Sequence, residues 1–318
     1  MTTRTLEEVF WLHPLLSSKL KPENRAARRM VDAKRSRLRR KLERLVTSAN
    51  RRRPENQPKL TVEEAEKLAE DCVSSALARA LAFFAEKGLP PVEVFAVVVM
   101  SNHLHLVLRA PGKNLAAFMG YFLARVAQTL NLLLGRVGPV FPRRYDAQPI
   151  LDEEAAAGRV KYVLENPKKA GLVRCFTEWP GFVAVAGLHE NDVLETKHFD
   201  RSAWQLAKRP NERARFWKKG RLKLSRLPGM ESLARRAYLA TVKSWCDSPP
   251  PDRCLGVEGV LDADVHQRPK KPKRSRRPYA YGSPEQIDAY RVASRGEDWV
   301  KLPRAVECSK RLLSNVFV

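Results

Sequence analysis

Residues Val92–Arg109 read VEVFAVVVMSNHLHLVLR, and this stretch leaves the chain few ways to fold. Val94, Phe95, Val97, Val98 and Val99 are β-branched or aromatic and carry no helix-period stripe. Ser101 and Asn102 supply turn chemistry. His103–Leu108 then alternates, so the pattern predicts two strands joined by a tight turn. Successive strand residues leave opposite faces, which puts His103 and His105 on one side and Leu104 and Leu106 on the other. Two imidazoles side by side on a rigid strand can each offer a neutral ring nitrogen to one divalent metal. Taken alone, the same alternation suits a half-exposed strand that binds nothing.

Helices are expected on both sides of this pair. Thr61–Lys87 has a capping-box start in Thr61 and Glu64, an apolar stripe of helical spacing, and Gly88 as its stop. Asn114–Arg136 is a second amphipathic helix, and Asp152–Glu165 a third. Val140–Ile150 between them looks extended and carries Arg143 and Arg144. Leu6–Leu16, broken by Pro14, is a candidate first strand. The resulting order of strands and helices predicts an α+β fold with an antiparallel sheet and helices packed against it.

The flanks are basic. Glu23–Val46 is a helical pattern dense in arginine and lysine, suited to lying along phosphates or to a solvated face, and Thr47–Leu60 reads as a linker. Asn211–Ala240 is basic and partly helical, and Arg268–Arg277, RPKKPKRSRR, is expected to be unfolded when free. Three regions follow: an N-terminal strand and basic helix over 1–60, a core over 61–186, and a basic, partly disordered extension over 187–318. Lys and Arg number 59 against 35 Asp and Glu, a formal charge of +24. That balance favours a polyanion as partner, nucleic acid before an anionic membrane. Five cysteines with no C-x-x-C spacing suit a reducing compartment. With no run of 18 apolar residues and no signal-peptide pattern, a cytoplasmic, nucleoid-associated protein without a membrane partner is expected.

Four ordered motifs carry a resemblance. The strand VVMSNHLHLVLR is the first, with Ser101 where proline is usual. Asn131, near the end of the 114–135 helix, is the second. Gly138, Phe141, Arg144 and Tyr145 form the third, and Tyr162, Asn166, Pro167, Ala170, Gly171, Leu172 and Val173 the fourth. Together they resemble the single-tyrosine HUH transposases, and within them the REP-associated tyrosine transposases. The resemblance implies a ferredoxin-like core and single-stranded DNA with a hairpin or repeat as substrate. It puts the nucleophile on Tyr162 and a divalent metal, Mg²⁺ or Mn²⁺, on His103, His105 and Asn166. It also implies cleavage and rejoining through a 5′-phosphotyrosine link, and it leaves room for a homodimer.

The residues themselves support part of this. Tyr162 and Asn166, four apart, share a helix face. Pro167 places Asn166 at or just past the helix end. Glu165 is a candidate base or spare ligand, and Tyr145 a second candidate nucleophile. Arg143, Arg144, Lys168, Lys169, Arg274, Arg276 and Arg277 are the cations expected to meet DNA. His189, His198 and His266 have no partner spacing and read as surface residues. A catalytically inactive DNA- or RNA-binding protein on the same fold, or a ribosome-associated basic protein, is the competing expectation.

Overall fold

The computed structural model describes residues 2–4, 39–40, 43–53, 59–100, 103–135, 137–141, 144–207, 212–249, 254–256, 260, 283–288 and 316–317. At its centre β2 (Glu93–Val99) and β3 (His103–Arg109) run antiparallel, with Val98 opposite His105 and Val99 opposite Leu104. Met100 N–H donates to the His103 carbonyl at 2.8 Å and closes the strand ends, so the strand pair expected from the sequence is formed. A register shift between Val94 and Ala96 makes Phe95 an extra residue on β2. Because β2 is buried on both faces after Glu93, its sequence is apolar throughout instead of alternating.

Neighbouring strands fill both edges. β5 (Val183–Val185) pairs with β2 on one side. On the other side, β1 (Thr2–Arg4) pairs with the histidine end of β3, setting Thr2 opposite His105 and Arg4 opposite His103. β8 (Val316–Phe317) pairs with the far end of β3 and in turn with β4 (Pro149–Ile150). The first strand is therefore Thr2–Arg4, while Leu6–Leu16 lies outside the described residues. Among the described residues of the extended stretch expected over 140–150, Pro149–Ile150 forms a strand.

The helices account for the remaining apolar pattern. Residues 43–52 are helical, here α1, and run on into the start of the expected linker. Burial of Val46 and Ala49 explains this, with Asn50 bonded in both directions to the Leu60 backbone at 2.9 Å. The single helix expected over 61–87 is two, α2 (Val62–Glu70) and α3 (Cys72–Glu86). The capping box is present, with Thr61 N–H donating to Glu64 at 2.9 Å and Glu64 N–H to the Thr61 hydroxyl at 3.2 Å. The chain turns at Asp71, whose carboxylate accepts from the Lys197 backbone N–H at 3.0 Å instead of facing solvent. α4 (Leu115–Leu134) packs on α3 through Phe84 against Phe118, and it ends at Gly135 in the left-handed region at φ 57°. A side chain at Gly135 would strike the Ala49 backbone at 2.5 Å, so close approach to α1 also requires glycine there. Length and composition would let α4 cross a membrane, but its apolar face, including Phe118, Phe122 and Val126, is spent on the core.

α5 (Glu153–Leu164) begins at Asp152, whose side chain accepts from Ala155 N–H at 2.6 Å, and lies on β2 and β3. The short α6 (Asn166–Lys169) follows it. Beyond β5, the stretch 211–240, expected to be partly helical, contains a strand. β7 (Trp217–Lys223) pairs with β6 (Val193–Phe199) in a two-stranded ribbon laid on α3. A short α7 (Arg201–Leu206) lies within the connection between these strands, and α8 (Arg235–Trp245) packs against α5. The protein is thus a mixed α+β fold with antiparallel sheets. One apolar core takes in Leu106, Phe118 and Trp179 together with Leu222, Tyr238 and Val242.

Candidate active site

β3 and α5 bring the expected residues to one place. His103 and His105, two apart on the strand, set their rings 4.9 Å apart edge to face. His105 is buried, and its ring meets that of Tyr162 on α5 at 6.1 Å, again edge to face. Tyr162 is 37% exposed, unlike the buried His105 beneath it. The Arg159 guanidinium lies 5.1 Å from the Tyr162 ring centre, and the Lys169 ammonium 4.9 Å from it. A half-exposed phenol beside two cations and two imidazoles suits an incoming phosphodiester.

Asn166 stands where α5 ends. Its amide nitrogen donates to the carbonyls of Tyr162 at 2.8 Å and Val163 at 3.4 Å, satisfying helix-end acceptors. The amide oxygen is the atom this side chain can offer a ligand. Two imidazoles on one strand face, were the amide oxygen to join them, would make a nitrogen and oxygen donor set of the kind that suits a divalent transition metal or Mg²⁺. No cluster of three or more His, Cys, Asp or Glu occurs among the described residues, so the amide would have to complete such a site.

Behind this corner lies a clamp that the sequence did not reveal. Lys168 is buried, and its ammonium donates to the Cys246 carbonyl at 3.2 Å and to the Ser248 carbonyl. The Ser248 hydroxyl donates to Glu165, and Lys169 forms an ion pair with Glu165 at 3.1 Å. Burial pushes the Glu165 carboxyl up. Hydrogen bonds from Ser248 and Lys169, with the charges of Lys169 and Lys161, outweigh burial and hold it below the usual glutamate value. Glu165 is thereby committed to the clamp as a carboxylate. Leu255 N–H adds a 2.9 Å bond to the Gly171 carbonyl in the turn after α6.

The remaining expected residues separate. Lys168, expected to meet DNA, is taken up by backbone carbonyls of the C-terminal extension because burial demands partners for its charge. Arg144 is exposed, and Tyr145 beside it is half-buried, with its hydroxyl pushed up by burial against the opposing charge of Arg144. Arg143, Arg274, Arg276 and Arg277 lie outside the described residues. The Asn131 amide donates to the Gly138 carbonyl at 2.8 Å, just past the end of α4. Trp179 is buried with its indole N–H on the Val99 carbonyl at 2.9 Å, fixing the end of β2 next to the histidines. Arg159 was missed, although its three-residue spacing from Tyr162 places both on one helix face.

Comparison with known proteins points the same way. The chain is similar to a Haemophilus influenzae protein named "Putative REP-associated tyrosine transposase", with 26% identity over 101 residues. The match takes in 28% of this chain and spans 57% of that relative's length. No family profile matches the sequence. No solved structure matches it either.

Proposed function

We propose that this protein is a DNA strand transferase on a ferredoxin-like core, with Tyr162 as its nucleophile and single-stranded DNA bearing a hairpin or repeat as its substrate. The observation that carries the reading is the meeting of His105 and Tyr162, 6.1 Å apart on two separate elements. The similarity to the Haemophilus influenzae protein supports it independently.

In this reading the Tyr162 oxygen attacks the phosphorus of one backbone phosphodiester in line. The phosphorus–oxygen bond to the 3′ carbon's oxygen breaks as the tyrosine–phosphorus bond forms. The phenol proton passes to solvent, and the leaving 3′ oxygen takes up a proton to become a free hydroxyl. A 3′ hydroxyl attacking the phosphotyrosine reverses these changes, joining strands and releasing Tyr162. His103, His105 and Asn166 would hold Mg²⁺ or Mn²⁺, which when bound polarises a phosphate oxygen. Arg159 and Lys169 hold the phosphate against the phenol by charge, and Glu165 acts through Lys169.

The test is a denaturing gel of purified protein with end-labelled single strands from its genomic neighbourhood. It is run with Mg²⁺, with Mn²⁺ and with chelator. A labelled band that travels with the protein, requires metal and is lost in Tyr162→Phe and in His105→Ala is the expected result. An undiminished band in Tyr162→Phe would rule out that residue. Binding without any covalent band, persisting over a wider pool of hairpin-bearing strands, would identify a nucleic-acid-binding protein that keeps the fold without the chemistry.

A further inference from the structure

The β6–β7 ribbon has two unlike faces. Leu222 and Thr196 are buried, and Gly220 lies against Ala78 of α3, where an added Cβ would stand 3.4 Å from the Ala78 Cβ. These residues mark the inner face. By the two-residue period the other face carries Trp217, Lys219, Arg221 and Lys223 on β7, and Phe199, Lys197, Glu195 and Val193 on β6. Lys197, Lys219, Arg221 and Lys223 are exposed, and Glu195 is the one acid of this face.

The pairing of charges differs between the faces. Lys218, in the alternate row of β7, is bonded to Asp200 at 2.7 Å. Among the described residues, Lys219, Arg221 and Lys223 have no carboxylate within ion-pair distance. Lys219 stands directly opposite Lys197, a like-charge pair that a bound anion would relieve, while Arg221 stands opposite Glu195 without reaching ion-pair distance. The row is held firmly. Asp71 accepts the Lys197 N–H at 3.0 Å, and Ser225 N–H just past β7 donates to the Val94 carbonyl of the central sheet at 2.8 Å.

We infer that the outer face of this ribbon is a docking surface for the phosphate backbone of duplex DNA. Alternate residues of a strand stand about 6.6 Å apart, so Lys219, Arg221 and Lys223 form a straight row of cations. A two-stranded ribbon has the width that the major groove of a duplex admits. Trp217 closes the row but is half-buried, its ring 5.7 Å from Phe199. That aromatic end is spent on packing and not presented for stacking with bases, which favours duplex over single strand. The inference rests on DNA being the partner of this protein, and it adds a duplex contact separate from Tyr162.

The full-length Tyr162→Phe protein serves for binding measurements, with a short blunt duplex and a single strand of equal length over a range of salt. Lys219→Gln/Arg221→Gln/Lys223→Gln should flatten the plot of log affinity against log salt on the duplex by a slope of roughly 2 to 3, one counterion step per contact. A control triple, Lys87→Gln/Lys113→Gln/Lys243→Gln, lowers net charge equally and should leave that slope alone. The conservative Lys219→Arg/Lys223→Arg variant should retain the slope and guards against a folding artefact. An unchanged duplex slope, an equal effect of the control, or flattening on the single strand alone would overturn the inference. Adduct formation, measured separately in the Tyr162 protein, distinguishes the two readings. An adduct with an unchanged slope removes the ribbon contact and keeps the chemistry. A flattened slope without an adduct does the reverse.

Discussion

His198 is the histidine whose surroundings depart furthest from its sequence reading. It was expected at the surface, yet its Nδ1 is buried without a hydrogen-bond partner among the described residues. Burial and the nearby Arg79 charge push its pKa down to about 4, with Lys218 adding to the effect and Asp200 opposing it. Unfolded, the imidazole binds a proton near pH 6.5, and folded it does not until about 4. Between those values the unfolded state holds more protons, so stability rises with pH there and is lost on acidification. After allowance for partial exposure, about 1–3 kcal/mol is at stake. His198→Gln should flatten the fall in melting temperature over that window, and an unchanged acid profile would remove His198 as its cause. Strand and helix periods place His103 beside His105 and Tyr162 on one face with Asn166, whereas the meeting of His105 with Tyr162 depends on how α5 docks on β3, which counting does not give. Nothing local to His198 announces the ribbon and helix that enclose it.

At the scale of elements, the corner between α5 and α6 owes its shape to a segment some 80 residues later in the chain. Ser248 meets both charges, its carbonyl taking Lys168 and its hydroxyl serving Glu165. Ser248→Ala leaves a buried carboxylate short of one donor, a loss of about 1–3 kcal/mol. On the proposed chemistry the effect should be larger on covalent adduct formation than on DNA affinity, because Ser248 acts only through Glu165, which in turn orients Lys169 beside Tyr162. Equal loss of both, or of neither, would mean the clamp is structural only. The depressed Glu165 value adds a second readout. Its stabilisation is present above the ordinary value of 4.5 and lost as pH falls through the folded value, and this loss should shrink in Ser248→Ala. The sequence showed α4 and α5 because their apolar or capping signals are local. It concealed β7 because WKKGRLK has one buried position in seven and offers no alternation to count. The break at Asp71 was hidden for the same reason, since its partner, the Lys197 backbone, is supplied by β6.

For the molecule as a whole, the basic stretches flank a core that does not stop where the sequence motifs stop. Leu222, Leu224, Leu227, Tyr238 and Val242 are buried in the same cluster as the strand pair and α4. Tyr238 also accepts a 3.3 Å bond from Leu227 N–H, and burial pushes its hydroxyl up to about 12. At about 1.5–3 kcal/mol for each fully buried large side chain, these five supply a contribution comparable to the whole stability of an ordinary domain. Composition pointed to an appended basic extension because lysine and arginine dominate it, but a few well-spaced apolar residues suffice to join a core. The consequence is testable in the intact chain. Leu222→Ala should cost about 2–5 kcal/mol and lower the midpoint of one cooperative transition that also reports on β2 and β3. Fluorescence from Trp179, read in a chain whose other five tryptophans are replaced by phenylalanine, and far-ultraviolet dichroism should then move together. Two transitions, with the one reported by Trp179 unmoved, would show that residues after β5 fold apart from the histidine strand. The clamp at Ser248 would then join two bodies instead of bracing one.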